Sequence, residues 1–298
     1  MVLCGPILGS KFSRGTLLLC GLKLWTLVAV KFLVQLLVFV VITLGLGLNL
    51  SSEVAWVVPT FPPDFGYYKQ FLRSFSDLSD GIDPVVVLTD DEEADLFRRE
   101  VGTVQQLILS DYFAPHDIDF FLATRSIINV KKLLALQQLR TQYERLIVTD
   151  SEVEIYAPID SQLIMTHRPR IRFQPLTNPS YHRIIAAPIG LLAEDDERKT
   201  LSEKLLPSML YGWFSDLPIY DANRLPAFFT RFEIAEASDL RKITFEHFDH
   251  LLYQYHLVLD GEEYDVLAHL ADLELGGTIW ELGYLATICC SALCSVGC

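Results

Sequence analysis

An acidic triplet, Asp150-Ser151-Glu152, directly follows a short apolar run from Arg145 to Thr149. The run, RLIVT, is typical of a buried strand, so the triplet is predicted to lie at the strand's carboxyl end. Two carboxylates two residues apart can hold a divalent metal ion such as Mg²⁺ or Mn²⁺, which can bridge the phosphates of a diphosphate. The plainer alternative is that Asp150 caps a turn and Glu152 is a solvated surface acid.

A helix carrying two lysines is predicted just before that strand, from Ser126 to Arg140. Its apolar residues recur at the spacing of one helical face. Lys132 offers a compact positive charge that suits phosphate, on a helix that leads into the acidic turn. For Lys131 we expect a position on the solvated face of the helix.

The elements ahead of this helix alternate between apolar runs and helical segments. Strands are predicted at Val54 to Pro59, Pro84 to Thr89 and Gln106 to Leu109, with helices at Phe65 to Phe75 and from Asp90 onward. Strands separated by helices favour an α/β fold with a mostly parallel sheet covered on both faces. Ligands of such sheets bind at the carboxyl ends of the strands.

Beyond about residue 162 the predicted elements become shorter. Strands are predicted at Ile171 to Phe173 and Arg183 to Ile189, and an aromatic loop runs from Tyr211 to Tyr220. Helices follow near Leu225 to Phe232 and Phe245 to Leu259. Because there are no repeats and no low-complexity linker, one α/β domain with two halves is favoured over two independent domains.

The segment from Lys132 to Glu152, KLLALQQLRTQYERLIVTDSE, resembles the donor-binding segment of GT-A glycosyltransferases, which use nucleotide-diphospho-sugars. In families such as the glycogenin-like enzymes, a lysine opens a helix that ends in an aromatic residue, here Tyr143. A hydrophobic strand then leads to an Asp-x-Asp triplet. The resemblance implies a GT-A-like, Rossmann-like fold, a donor diphosphate or sugar touched by Lys132, and Mn²⁺ or Mg²⁺ held by Asp150 and Glu152. This sequence departs from the family at Glu152, whose arm is longer than that of the usual aspartate.

The first predicted strand also resembles the nucleotide-binding strand of these families. The resemblance implies that the base and ribose of the donor lie near Pro59, Thr60 and Phe61. Residues 51–160 are accordingly predicted to bind the nucleotide sugar, and residues 161–288 to bind a glycan or glycoconjugate acceptor.

The second half offers a candidate catalytic base among aromatic residues. Tyr211, Trp213, Phe214 and Tyr220 could stack on sugar rings, although the plainer interpretation, that they belong to the core, is favoured. Asp216 is the predicted base of an inverting enzyme, because such a base must reach the acceptor hydroxyl. Two further acids stand behind it as candidates: Glu246 and Asp249.

Three histidines near the end of the chain could suggest a metal cluster. His247, His250 and His256 are instead interpreted as ordinary helix residues. The terminal His-x-x-Gly-x-x-Lys pattern of glycogenin-like enzymes is missing, so a retaining mechanism of that type is not predicted.

The N-terminal region carries a membrane signal. Phe32 to Leu50 is a run of 19 uncharged residues, which as a helix spans roughly 28 Å, close to a hydrocarbon core of about 30 Å. The basic residues of this region precede the run, so the positive-inside rule predicts a type II protein. We expect a cytoplasmic tail at 1–23, an anchor at 24–50 and a lumenal domain at 51–298, in the Golgi or another secretory membrane. A cleaved signal peptide and a buried core helix are the alternatives.

The charge of the chain constrains its possible partners, and most of its cysteines lie in one short segment. Residues 51–298 hold 20 of the 24 basic residues and all 38 acidic ones, a surplus of 18 negative charges, so no nucleic-acid partner is expected. Four of the six cysteines crowd the tail at 289–298.

The sequence favours a membrane-anchored glycosyltransferase. The alternatives are a non-catalytic membrane-anchored domain with the same fold and a metal-dependent hydrolase of phosphate esters.

Overall fold

A computed structural model of the chain describes residues 52–168, 171–212 and 217–266, and the backbone of 286–288. The predicted anchor at 24–50, Asp216 and the tail at 289–298 lie outside the described residues. No helix within the described part of the chain is long and apolar enough to cross a membrane. The chain divides into two units, Met1–Ser51 and Ser52–Cys298, and every described element belongs to the second.

Strands and helices alternate along the first half, and shorter elements follow. The strands are β1 (Val54–Pro59), β2 (Ser79–Asp80), β3 (Ile82–Leu88), β4 (Gln105–Ile108), β5 (Arg145–Val148), β6 (Val153–Ile155), β7 (Ile159–Asp160), β8 (Ile171–Pro175), β9 (Leu210–Gly212), β10 (Ile219–Asp221), β11 (Tyr264–Val266) and β12 (Ala286–Ile288). The helices are α1 (Phe65–Leu78), α2 (Asp91–Glu100), α3 (Pro115–Ala123), α4 (Ile127–Leu139), α5 (Ser161–Thr166), α6 (His182–Gly190), α7 (Asp195–Leu205), α8 (Leu225–Arg231) and α9 (Asp249–Leu259).

Five strands form the central sheet in the order β10-β5-β1-β3-β4. β1, β3, β4 and β5 are parallel, and β10 runs antiparallel to β5 at the edge. The predicted α/β fold with a mostly parallel sheet is therefore confirmed. Smaller sheets pair β11 with β8 and β8 with β9, β6 with β12, and β2 with β7.

Successive residues of β1 point to opposite faces of the sheet, and both faces are buried. Val54, Trp56 and Val58 belong to one buried cluster with the apolar residues of α1 and α2. Ala55 and Val57 belong to the other, with α3, α4 and the helices of the second half. Because side chains of a strand alternate between faces, a strand that is apolar throughout must be buried on both sides.

The order of the strands creates a switch point between β1 and β5. The chain passes from β1 to β3 and β4 on one side, then returns through α3 and α4 to place β5 on the other side of β1. The backbone N–H of Thr149, just after β5, donates to the carbonyl of Val57 over 3.1 Å. The carboxyl ends of β1 and β5 therefore flank one crevice, the usual ligand position in open α/β sheets.

One predicted element of the second half was wrong, and another is present but begins later than expected. The strand expected at Arg183 to Ile189 is helix α6, in which Ile185, Pro188 and Ile189 are buried. Their spacing of three and four residues is that of a helical face, and it outweighed the β-branched composition. The helix expected from Phe245 begins only at Asp249.

Candidate functional site

The acidic triplet lies directly after β5, at the switch point. Thr149 precedes it and is buried, and its Oγ1 accepts a hydrogen bond of 2.8 Å from the indole Nε1 of Trp56 on β1. Asp150 and Glu152 are half-buried, whereas Ser151 between them is buried. The turn that presents the two carboxylates is thus tied to the central strand of the sheet.

Lys132 lies beside the triplet, although the two are separated in sequence by the end of α4 and β5. Its Nζ is 2.9 Å from Oδ1 of Asp150 and 3.7 Å from Oδ1 of Asp249. Burial opposes the charged form of this nearly inaccessible lysine, but the two carboxylates outweigh it and hold the pKa of Lys132 above its usual value. The site therefore contains a permanent, fixed cation. Whether it contacts a donor stays a prediction.

Asp249, which the sequence offered as a further candidate for the catalytic base, is instead a buried partner of Lys132. It is the first residue of α9, it is 1% exposed, and its Oδ2 accepts a hydrogen bond from the hydroxyl of Tyr220 on β10. Burial raises the pKa of Tyr220, and the neighbouring Asp249 adds to the effect. Asp249 thus serves as a counter-ion to Lys132, in a position closed to an acceptor.

Other residues proposed for the acceptor site have structural partners or lie outside the described part. Tyr211 and Tyr220 are buried in the core, which favours the plainer alternative stated for them. Glu246 forms an ion pair with Arg183. Asp216, Trp213 and Phe214 lie outside the described residues.

The solvated position expected for Lys131 is wrong. Its side chain is fully buried, and its Nζ donates a hydrogen bond of 2.7 Å to the carbonyl of Thr60. The same ammonium lies 3.5 Å from Oε2 of Glu93 and 3.7 Å from the ring centroid of Phe61. The physical reason is that α4 is buried on nearly all sides between the sheet and the second half, so the helix has no broad solvated face.

Glu93 is a site residue that sequence reasoning missed. Its carboxylate accepts a hydrogen bond of 2.6 Å from the backbone N–H of Thr89, just after β3. Asp90 caps α2 by accepting from the backbone N–H of Glu93 over 2.8 Å. The signal in the sequence was the capping spacing, an acid followed three residues later by Glu, which predicts that the Glu side chain folds back over the helix start.

Carboxylates crowd this edge of the sheet. Burial raises the pKa of Asp64, in the turn after β1, and Asp150 raises it further. Burial likewise raises the pKa of Glu152, with Asp150 and Asp64 adding to the effect. Two lysines, Lys131 and Lys132, therefore face six acids, which are Asp64, Asp90, Glu93, Asp150, Glu152 and Asp249.

The carboxylates of Asp150 and Glu152 suit a metal ion that takes only part of its coordination from protein. Within the described residues no three His, Cys, Asp or Glu side chains are placed to hold a metal ion. Asp150 and Glu152 supply two half-exposed carboxylates whose mutual repulsion a cation would relieve. Mg²⁺ and Mn²⁺ sites of this kind use one or two carboxylates, with the remaining oxygens coming from phosphate and water.

The three histidines are buried and do not form such a cluster. Burial lowers the pKa of His247, His250 and His256 to about 4 each, so all three are neutral near pH 7. His250 and His256 lie on α9, whereas His247 lies in the preceding turn, where its Nδ1 accepts from the backbone N–H of Thr244.

No family model matches this sequence, and no curated protein matches it. Similar solved structures include the mannosyltransferase Ktr4p from S. cerevisiae, with 10% identity, a TM-score of 0.36, and 66% of this chain and 64% of that chain covered. The bifunctional glycosyltransferase WbbM has 13% identity, a TM-score of 0.38, and coverage of 74% and 40%. Mouse xyloside xylosyltransferase 1 has 8% identity, a TM-score of 0.37, and coverage of 72% and 84%. The match thus spans less than two thirds of the first two proteins. All three are glycosyltransferases.

Proposed function

We propose that this protein is a glycosyltransferase that moves a sugar from a nucleotide-sugar donor to a glycan or glycoconjugate acceptor. The proposal rests on one juxtaposition: Asp150, Glu152 and the buried Lys132 meet at the carboxyl ends of β1 and β5. Two carboxylates beside a fixed ammonium suit a metal-bound diphosphate, and the crevice at a switch point suits a nucleotide.

In this proposal Asp150 and Glu152 hold Mn²⁺ or Mg²⁺, which when bound neutralises the charge that develops on the leaving diphosphate. Lys132 orients the phosphates, and Asp249 keeps it charged and in place. Because acids outnumber lysines at this edge, a diphosphate without a metal would be repelled. The metal requirement is thus part of the proposal.

The donor base and ribose are proposed to lie over the end of β1, at Pro59, Thr60 and Phe61. Pro59 and Thr60 are buried, so they would act through the backbone and through packing. Phe61 is half-buried and would offer the accessible part of its ring. Asp216 remains the proposed catalytic base.

We also propose a type II membrane protein of the Golgi or another secretory membrane, anchored by residues 24–50 with residues 51–298 in the lumen. A tag placed after Cys298, in sealed microsomes, tests this topology. Protection of the tag from added protease supports a lumenal domain, and digestion in intact microsomes contradicts it.

Release of nucleotide from a panel of nucleotide sugars tests the activity. The purified full-length protein is assayed with Mn²⁺ or with a chelator, beside Asp150→Asn and the matched control Glu154→Gln. Glu154 is an exposed acid on β6, two residues beyond Glu152. We expect metal-dependent release from one donor, lost in Asp150→Asn and retained in Glu154→Gln.

Two other outcomes would contradict the proposal. A folded protein without release and without a thermal shift for any donor would favour the non-catalytic membrane-anchored domain. Release of phosphate from a generic ester would favour the hydrolase.

A further inference from the structure

Lys131 is a fully buried cation that joins two strand ends. Its ammonium donates to the carbonyl of Thr60, directly after β1, and lies over the ring of Phe61. It also faces Glu93, whose carboxylate accepts from the backbone N–H of Thr89, directly after β3. The proposed chemistry makes no use of this ammonium, and burying a charge costs folding free energy.

Resting on the proposed function, we infer that Lys131 is a positioning residue for the nucleoside end of the donor, acting through Thr60 and Phe61. The ammonium is attracted to the ring of Phe61, and its hydrogen bond fixes the backbone just before that ring. Because Phe61 is only half-buried, part of its ring stays accessible to a nucleobase. A ring that is oriented before the ligand arrives lowers the ordering cost of binding.

The charge of Lys131 is sensitive to mild alkali. Burial lowers its pKa to about 8, although the facing carboxylates of Glu93, Asp90 and Asp64 oppose the shift. The ammonium is therefore charged near pH 7 and loses its proton as the pH rises toward about 9. Deprotonation would weaken both the contact with Phe61 and the pair with Glu93, so nucleoside affinity is expected to fall over that range.

Calorimetric titration of the full-length protein tests this inference. The ligands are uridine, guanosine, adenosine and cytidine diphosphates, the monophosphate of whichever binds best, and inorganic pyrophosphate, all with Mg²⁺. Lys131→Met removes the charge and keeps most of the length. Lys69→Met is the matched control, because Lys69 also pairs with a glutamate, Glu100 at 3.8 Å, but at the surface.

We expect Lys131→Met to weaken the mono- and diphosphate alike, on the order of 10-fold, because the ring of Phe61 must then be ordered when the ligand binds. Pyrophosphate binding should not change, Lys69→Met should match the wild type, and Lys131→Arg should restore most of the nucleotide affinity. A role confined to folding would not separate nucleotide from pyrophosphate.

Unchanged nucleotide binding in Lys131→Met, or equal weakening of pyrophosphate, overturns the inference and leaves the proposed function standing. A wild-type protein that binds none of the diphosphates overturns both. If Lys131→Arg does not fold, the pH profile decides. Wild-type affinity that falls from about pH 7 to about pH 9, with a flat profile in Lys131→Met, supports the inference, and parallel profiles overturn it.

Discussion

Lys131 and Lys132 are consecutive on α4, yet their ammonium groups meet different carboxylates. Nζ of Lys131 lies 3.5 Å from Oε2 of Glu93, and Nζ of Lys132 lies 2.9 Å from Oδ1 of Asp150. Consecutive residues of a helix diverge by about 100°, so one turn of α4 reaches the ends of three strands. Lys131 holds the ends of β1 and β3, whereas Lys132 joins the end of β5 to α9. A single buried helix, α4, thus supplies both lysines of the switch point.

Lys132→Met should be strongly destabilising because it leaves Asp249 buried without its cation. Removing one partner of a buried pair typically costs about 3–5 kcal/mol. Lys132→Met combined with Asp249→Asn should cost less than the single change, because no unpaired charge stays buried. Urea unfolding followed by tryptophan fluorescence measures the free energy of unfolding of both.

The control for that pair is Lys199→Met on α7. Lys199 lies 4.0 Å from Glu203 in an exposed pair, and its loss should cost no more than about 0.5 kcal/mol. If the single and the double variant are equally unstable, Asp249 does not need the charge of Lys132.

Local patterns predicted the parallel strands well, because β1, β3 and β5 are short and mainly apolar runs with turn residues at their ends. They failed at Lys131 and Asp249. The polar character of Lys131 indicates solvent, and its burial depends on elements far along the chain that cover α4. Asp249 carries no local sign that its partner is Lys132.

The acids that surround Asp150 and Glu152 were also only partly predictable from local patterns. The triplet at Asp150 and Glu152 stood out because it follows an apolar strand. Asp64 lies in an ordinary turn, and only the placement of β1 beside β5 brings it close to them. Sequence thus located the carboxyl edge of the sheet where the acidic triplet lies, but not the full set of charges that meet there.

Thr149→Val should destabilise the protein by about 1–3 kcal/mol, since it leaves the buried indole N–H of Trp56 without an acceptor. Thr149→Ser keeps the hydroxyl and should cost much less. Urea unfolding measures the difference, and a change in tryptophan emission should accompany Thr149→Val alone. A loss in Thr149→Ser with none in Thr149→Val would mean that the methyl group, not the hydrogen bond, matters at this position.

Acid should destabilise the protein between about pH 6.5 and pH 4. The folded pKa of the three buried histidines, about 4, lies below their ordinary value of 6.5, so the unfolded chain binds protons first as the pH falls. One pKa unit corresponds to about 1.4 kcal/mol, so each histidine removes up to about 3 kcal/mol across this range. Urea unfolding at several pH values measures the slope.

His256→Gln should make that slope shallower, because one titrating group is gone. His116→Gln is the control, since the side chain of His116 is 76% exposed, and it should leave the slope unchanged. The same slope in His256→Gln as in the wild type would show that other groups cause the acid sensitivity.

Gly212→Ala should destabilise the protein by about 1 kcal/mol or more, because an added methyl would collide with the side-chain amide of Gln254 on α9 and lie 3.0 Å from the ring of Phe173. Gly66→Ala is the matched control. No atom lies within 4 Å of its added methyl, and alanine inside α1 should stabilise by about 0.5–1 kcal/mol. In a Gln254→Ala background most of the cost of Gly212→Ala should vanish, because the amide no longer stands in the way. Urea unfolding of the wild type, the two single variants and the double variant measures this coupling, and strictly additive losses would mean that the collision with Gln254 is not the cause of the cost.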